Sequence, residues 1–300
     1  MTARHLSTLL EGGAFFESPR WRDGRWWVSD FYRHAVFTVT SDGVEHRELD
    51  IDGQPSGLGW LPDGSLLVVS MRDHRLLRRS PDGTVTIHAD LSTHCTGHLN
   101  DLVVDSLGRA WVGDFGFDLM AFDDPVPGTL KRVDPDGTVT VVAGGLRFPN
   151  GTVITPDERT IIVGETMGNG YVAFSVAEDG ALTDRRRWAA LGPEVTYGAA
   201  ADTLAQIVVA PDGCALDAQN HIWAADGIGG PCIRVAPGGE IVDSIPLPGG
   251  LGVFACMLGG EDGRTLLMCA APDYFEANRR DAREAVLLTT TVEVPHAGLP

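Results

Sequence analysis

Six short apolar runs, each preceded by a turn, recur along this chain and limit what it can fold into. They are Trp26-Trp27-Val28, Leu66-Leu67-Val68, Ala110-Trp111-Val112, Thr160-Ile161-Ile162, Ile222-Trp223-Ala224 and Thr265-Leu266-Leu267. The residues just before them, Arg25, Ser65, Arg109, Arg159, His221 and Arg264, set a repeat of about 40 to 62 residues. Between the runs lie β-branched and aromatic segments separated by turns such as Pro62-Asp63-Gly64, Pro81-Asp82-Gly83, Pro135-Asp136-Gly137 and Pro211-Asp212-Gly213. Proline presets φ for a turn and Asp-Gly readily supplies positive φ, so these are hairpin signals. A period near 40 to 50 residues with four short strands per unit marks a β-propeller, and six copies predict six blades. The expected fold is all-β, a single six-bladed propeller domain over residues 1–300.

Departures from the repeat are few. No stretch sustains a helical apolar period; the best helical candidates are 194–205 and 274–284, the latter with a charged, solvated face. Residues 1–16 read as a lead-in, with Phe15 and Phe16 packing near the first strand. The longest interval, between Arg159 and His221, holds an insertion at 192–210 expected to lie over one face as a wall or lid. Residues 285–294 alternate as a strand that could pair with the N-terminal segment and close the ring.

Composition narrows the partners. Lys and Arg number 23 against 41 Asp and Glu, a net charge of −18. Such a chain repels phosphate, which argues against nucleic acid and anionic membranes. The five cysteines are scattered with no C-x-x-C pair, which disfavours a disulfide framework or zinc ribbon and predicts a reducing compartment. With no signal-peptide pattern and no apolar run near the roughly 20 residues of a membrane helix, the expected location is cytoplasmic.

The candidate site comes from the repeat itself. Nine residues before each anchor, eight in the first copy, stand Glu17, Ser56, Asn100, Asn150, Asp212 and Ala255. Inner strands of a propeller line a central channel, so these positions should form a ring at one mouth. Four of the six are carboxylates or carboxamides. Asp212 alone could be explained by its Pro-Asp-Gly turn; four at one address point to function. Two carboxylates with carboxamide oxygens suit Ca²⁺, Mg²⁺ or Mn²⁺ better than zinc, and too few to close a shell leave positions for water or substrate. Other candidates are weaker. His94-Cys95 with His98 lacks the second half of a zinc site. Asp30, Asp114 and Asp226 end strands and read equally as channel residues or turn caps. Cys214 reads as a core thiol, the tryptophans as inter-blade packing, and Ser18 lacks a nucleophile elbow.

The runs Glu17-Ser18-Pro19-Arg20-Trp21, Asn100-Asp101, Phe148-Pro149-Asn150-Gly151 with Pro156-Asp157, and Pro211 to Asp217 with Ile222 to Asp226 resemble the SMP-30/gluconolactonase/LRE-like family. The resemblance spans nearly the whole chain. It implies one divalent cation in the channel, Ca²⁺ first and Mn²⁺, Mg²⁺ or Zn²⁺ as alternatives, held by Glu17, Asn150 and Asp212. It also implies hydrolysis of a small lactone or ester, with Asn100 touching substrate or a metal-bound water and Asp212 as general base. A metal-bound hydroxide is the rival nucleophile. Beside Asn100, His98 and Asp101 are the expected substrate contacts. The chain departs from the family where sugar-lactone members carry an arginine, here His98, and where animal members often carry a lysine, here Leu102. Loss of a forked fixed charge argues for a less polar lactone or ester. Two alternatives stay open: a non-catalytic propeller with a structural ion that binds a ligand or protein, and another reaction on the same site, such as phosphotriester hydrolysis or isomerisation.

Overall fold

The alternating segments pair around their turns into blades. The computed structural model describes residues 4–298 and contains six four-stranded antiparallel sheets. Turn chemistry follows the sequence: Asp63, Asp82, Asp136, Asp157 and Asp262 each accept a hydrogen bond from the backbone N–H two residues on, the Asx turn that these residue types favour. The innermost strands of blades 1 to 6 are Phe16–Arg22, Pro55–Trp60, Leu99–Val104, Pro149–Ile154, Pro211–Leu216 and Gly252–Gly259. Each packs against the innermost strands of both neighbours, and the sixth against the first, so the blades form a closed six-bladed propeller.

Closure uses both ends of the chain. The outer strand of blade 6 is Ser7–Gly13, paired antiparallel with Ala285–Thr291, Ser7 opposite Thr289 and Gly13 opposite Ala285. The C-terminal strand therefore pairs as its alternation suggested, and much of the presumed lead-in is itself a strand. Joining first and last segments in one sheet leaves the ring no free internal edge. Large side chains fill the gaps between blades: Trp111 and Trp223 are fully buried, and Trp27 of blade 1 meets Trp60 of blade 2 edge-on at 5.4 Å.

Helix is scarcer than the sequence suggested. Of 194–205 only Ala200–Leu204 is helical, because Val195, Thr196 and Gly198 oppose helix at its start. Of 274–284 only Glu276–Arg279 is helical; Arg280, Asp281 and Arg283 leave no apolar stripe to pack a longer one. No helix among the described residues is long and apolar enough to cross a membrane.

Candidate active site

The polar ring owes its existence to a repeated irregularity. In blades 1 to 5 the innermost strand carries one extra residue at the same place in its ladder: between Glu17 and Arg20, Pro55 and Leu58, Leu99 and Leu102, Asn150 and Val153, and Pro211 and Cys214. Such bulges break strand alternation and re-aim side chains. Glu17, Asn100, Asn150 and Asp212 sit at these bulges. Three of them are fixed in the same way, each accepting the N–H of the next residue: Ser18 to Glu17 Oε2 at 2.9 Å, Gly151 to Asn150 Oδ1 at 2.9 Å, and Gly213 to Asp212 Oδ1 at 3.0 Å. Pro211-Asp212-Gly213 is therefore not a turn, as the tripeptide suggested, but the bulged start of a strand. The glycines have steric causes. A Cβ on Gly151, at φ 43°, would lie 2.2 Å from the Asp212 carbonyl oxygen, and one on Gly213 would lie 2.6 Å from the Ala255 Cβ.

These side chains meet at the floor of one cavity. Glu17, Asn100, Asn150 and Asp212 line it together with Thr166, and Asn150 Nδ2 donates to Asp212 Oδ1 at 2.5 Å. The remaining lining is almost wholly apolar and includes no lysine or arginine. Burial raises the Glu17 carboxyl well above the ordinary carboxylate range, and the neighbouring Asp212 charge adds to it. Burial likewise pushes Asp212 up to about 7, against the opposing hydrogen bonds from Asn150 and Gly213. Arg20 favours the charged form of Glu17, but it is already paired with Asp101 at 2.9 Å. Two carboxylates in one cavity, Glu17 buried and Asp212 part-buried, without a dedicated cation need protons or a metal ion to balance them. No trio of His, Cys, Asp or Glu among the described residues could hold an ion, so any site must also draw on the carboxamides. Carboxylate and amide oxygens are ligands for a hard divalent cation, and the donor set fits one.

Residues 15–272 match the family described as SMP-30/Gluconolactonase/LRE-like region. The chain belongs to the SMP-30/gluconolactonase/LRE-like family. Its curated relatives include the 6-deoxy-6-sulfogluconolactonase of Pseudomonas putida, 29% identical over 67% of this chain and 64% of that one. The pentonolactonase XacC of Haloferax volcanii is 30% identical over 62% of this chain and 57% of that one. The chain thus spans about three-fifths of the length of the relatives it matches. Among solved structures, a luciferin-regenerating enzyme superposes with a TM-score of 0.79 at 16% identity, covering 98% of this chain and 97% of that one. A calcium-binding regucalcin from Agrobacterium tumefaciens gives 0.77 at 20% identity, covering 98% and 95%. At such identities the likeness concerns the fold.

Two of the expected substrate contacts are not among the residues that line the cavity. Asp101 is not part of the cavity lining; it accepts from Arg20 Nη2, from the Leu102 N–H at 2.8 Å and from Ser18 Oγ at 3.4 Å. One residue beyond Asn100, it belongs to the support beneath the floor. His98 is also absent from the lining. Its ring stands 6.1 Å from that of Phe115, its Nε2 is 4.0 Å from Asp118, and burial holds its pKa below the usual imidazole value. The strand-terminal acids resolve as caps: Asp30 accepts from the Ala14, Phe15 and Arg33 N–H groups, Asp226 from Ala210 and Asp114 from Gly116 and Thr129. Asp114 also forms a fully buried ion pair with Lys131. Cys214 is packed in the core. In blade 6 the bulge falls between Val253 and Ala255, so Phe254 rather than Ala255 reaches the cavity. The ring of polar positions does not include the wall residues Phe31, Phe115, Thr166 and Gly227. They share an address too, each directly following the acid that ends its blade's second strand, Asp30, Asp114, Glu165 and Asp226.

Proposed function

We propose that this protein is a divalent-metal-dependent lactonase, opening the ring of a small lactone or related ester. The observation that carries the reading is the convergence of Glu17, Asp212, Asn100 and Asn150, from four blades, on the floor of a cavity whose lining holds no other charged side chain. The lactonases among its relatives support the reaction class. Glu17, Asn150 and Asp212 would hold the cation, Ca²⁺ in the first instance, as the calcium-binding regucalcin of the same fold suggests. When bound, such an ion would supply Lewis-acid stabilisation of the negative charge that develops on the lactone.

The chain's own residues account for the rest. Glu17 is held by the Ser18 N–H and Asp212 by Asn150 and Gly213, so neither carboxylate must reorganise when substrate enters. In this reading Asp212 takes a proton from the attacking water and returns it to the departing ring oxygen. Its carboxyl, already raised by burial, is a better base than an exposed aspartate, although a bound cation draws it back down. Asn100 offers an amide at the floor to orient the carbonyl or water. The apolar walls exclude bulk water and strengthen each of these interactions.

The test is proton release from sugar, aliphatic and aromatic lactones after chelation, then after adding Ca²⁺, Mn²⁺, Mg²⁺ or Zn²⁺ singly. The proposal expects hydrolysis that disappears with chelation, returns with one or more of the ions, and falls 10²- to 10⁴-fold in Asp212→Asn. Near-full turnover by that variant, or turnover indifferent to chelation, would refute the assignment.

A further inference from the structure

Above the polar floor the cavity is a hydrocarbon sleeve. Phe15, Phe31, Phe115, Phe148 and Phe254 form its inner collar, with ring centroids 4.1 Å apart for Phe115 and Phe148, 5.3 Å for Phe15 and Phe31, and 5.0 Å for Phe15 and Phe254. At the rim, Leu119, Met120, Leu204, Ile207 and Ile228 come from three separate loops. Of the three hydroxyl-bearing wall residues, two already spend their protons on backbone carbonyls: Tyr32 on Tyr274 at 3.0 Å and Thr166 on Pro211 at 2.7 Å. A sugar ring seated here would strip water from several hydroxyls and find few partners for them, and each unsatisfied group is costly. An alkyl or aryl group would gain the transfer free energy instead.

The rim is also built in advance. Leu204 and Ile207 lie in the 192–210 insertion, whose two ends are fastened by the fully buried Asn169. Its Nδ2 donates to the carbonyls of Pro193 at 3.1 Å and Gln206 at 2.9 Å, and its Oδ1 accepts from Val208 at 2.8 Å and Val209 at 3.3 Å. The Ala200 N–H donates to Asp124 Oδ1 at 2.9 Å, tying the insertion to the segment that follows Leu119 and Met120. A preformed apolar wall selects for apolar ligands without first having to order itself.

We infer that the site takes a lactone or ester whose non-reacting part is a hydrocarbon, an alkyl chain or aryl ring, rather than a polyhydroxylated sugar lactone. Phe148 and Phe254 in the collar, and Leu204, Ile207 and Ile228 at the rim, are its specificity determinants. This rests on the hydrolase reading for the chemistry but not for the binding, and the experiment separates the two. In the first arm, kcat/KM is measured with the activating cation for δ-valerolactone, δ-hexalactone, δ-decalactone and glucono-δ-lactone. The expected result is a rise of about three- to fourfold per methylene until the sleeve is filled, with glucono-δ-lactone at least a hundredfold below δ-decalactone. In the second arm, calorimetry measures binding of the corresponding lactams, which the enzyme should not open, with an alkyl lactam at least tenfold tighter than gluconolactam. Ile228→Lys places a charge at a half-exposed rim position that tolerates one, and should cut the alkyl preference at least fivefold in both arms. A flat chain-length series, or gluconolactam binding as tightly as the alkyl lactam, would overturn the inference even if lactones are hydrolysed. Preferential alkyl-lactam binding with no hydrolysis under any cation would uphold it and sink the hydrolase reading alone.

Discussion

Arg20 offers the sharpest test of how the floor is supported. Its guanidinium is buried beneath the site, donating from Nη2 to Asp101 Oδ1 at 2.9 Å and to the Leu102 carbonyl at 2.8 Å. Nε donates to the Leu58 carbonyl at 3.0 Å and Nη1 to the Pro19 carbonyl at 2.9 Å. One side chain thereby ties together the innermost strands of blades 1, 2 and 3. Arg20→Met keeps much of the volume but leaves Asp101 as a buried charge without its cation. Breaking one side of a buried pair costs about 3–5 kcal/mol. For 300 residues, an unfolding entropy of about 2.1 cal/mol/K per residue converts this to a Tm loss of about 5–8 °C. The loss should be read in chelator, so that cation binding does not enter, by calorimetry and by urea titration. Arg20→Met with Asp101→Asn should then recover about 2 kcal/mol or more, because the orphaned charge is gone while the side chain's shape remains. Asp101 also raises Glu17 and Arg20 lowers it, so the single variant should push the Glu17 carboxyl higher still. A loss below about 1 kcal/mol in Arg20→Met, or a double variant whose cost is the sum of the singles, would refute the claim that Asp101 is charged and dependent on Arg20.

Other expectations follow from the same geometry. In chelator, Asp212 has a folded pKa of about 7 against an ordinary 3.8, so between those values the folded state holds more protons than the unfolded one. Stability should therefore fall as pH rises from about 4 to 7, by a few kcal/mol, and the slope should be smaller in Asp212→Asn; an identical Tm profile for the two proteins would contradict it. Glu17→Gln removes one of the two carboxylates at the floor, and calorimetric titration with Ca²⁺ should find affinity at least tenfold weaker. Asn169→Ala removes four hydrogen bonds from the insertion, a cost of about 2–4 kcal/mol. Hydrogen exchange should quicken across 193–209 while the innermost strands stay protected, and unchanged exchange there would show that the insertion is held by something else.

How much of this was legible depended on whether a feature sits at a constant distance from a turn. Blade number was, because Asp-Gly turns and the apolar run after each anchor recur in register. The floor was, because the bulge lies at a constant position in five ladders, carrying Glu17, Asn100, Asn150 and Asp212 to one place. In blade 6 the bulge is displaced, and there counting residues picked Ala255 where Phe254 enters the cavity. His98 occupies the address two residues before the floor, as Phe15, Phe148 and Ala210 do, yet those three line the cavity and His98 does not. Periodicity assigns the strand position but does not fix where the side chain ends. Leu204 and Ile207 were beyond reach for another reason, since an insertion has no counterpart in other blades to be compared with.

The same distinction bears on how such a fold changes its substrate. Floor residues sit on strands hydrogen-bonded within their own blades and packed against inner strands on either side, and three of the four accept a bond from the next backbone N–H. Replacing one disturbs three blades. Much of the rim sits on loops that meet one another through a few contacts, such as Ala200 with Asp124 and Asn169 with the ends of the insertion. Its side chains can be exchanged without moving a carboxylate. A chain that kept the floor but replaced Leu204, Ile207 and Ile228 with polar residues should retain cation affinity and lose its preference for hydrocarbon. Under the proposed function, the chemistry and the choice of substrate would therefore be separable properties of this propeller, one set by bulges in its innermost strands and the other by what the connecting loops place above them.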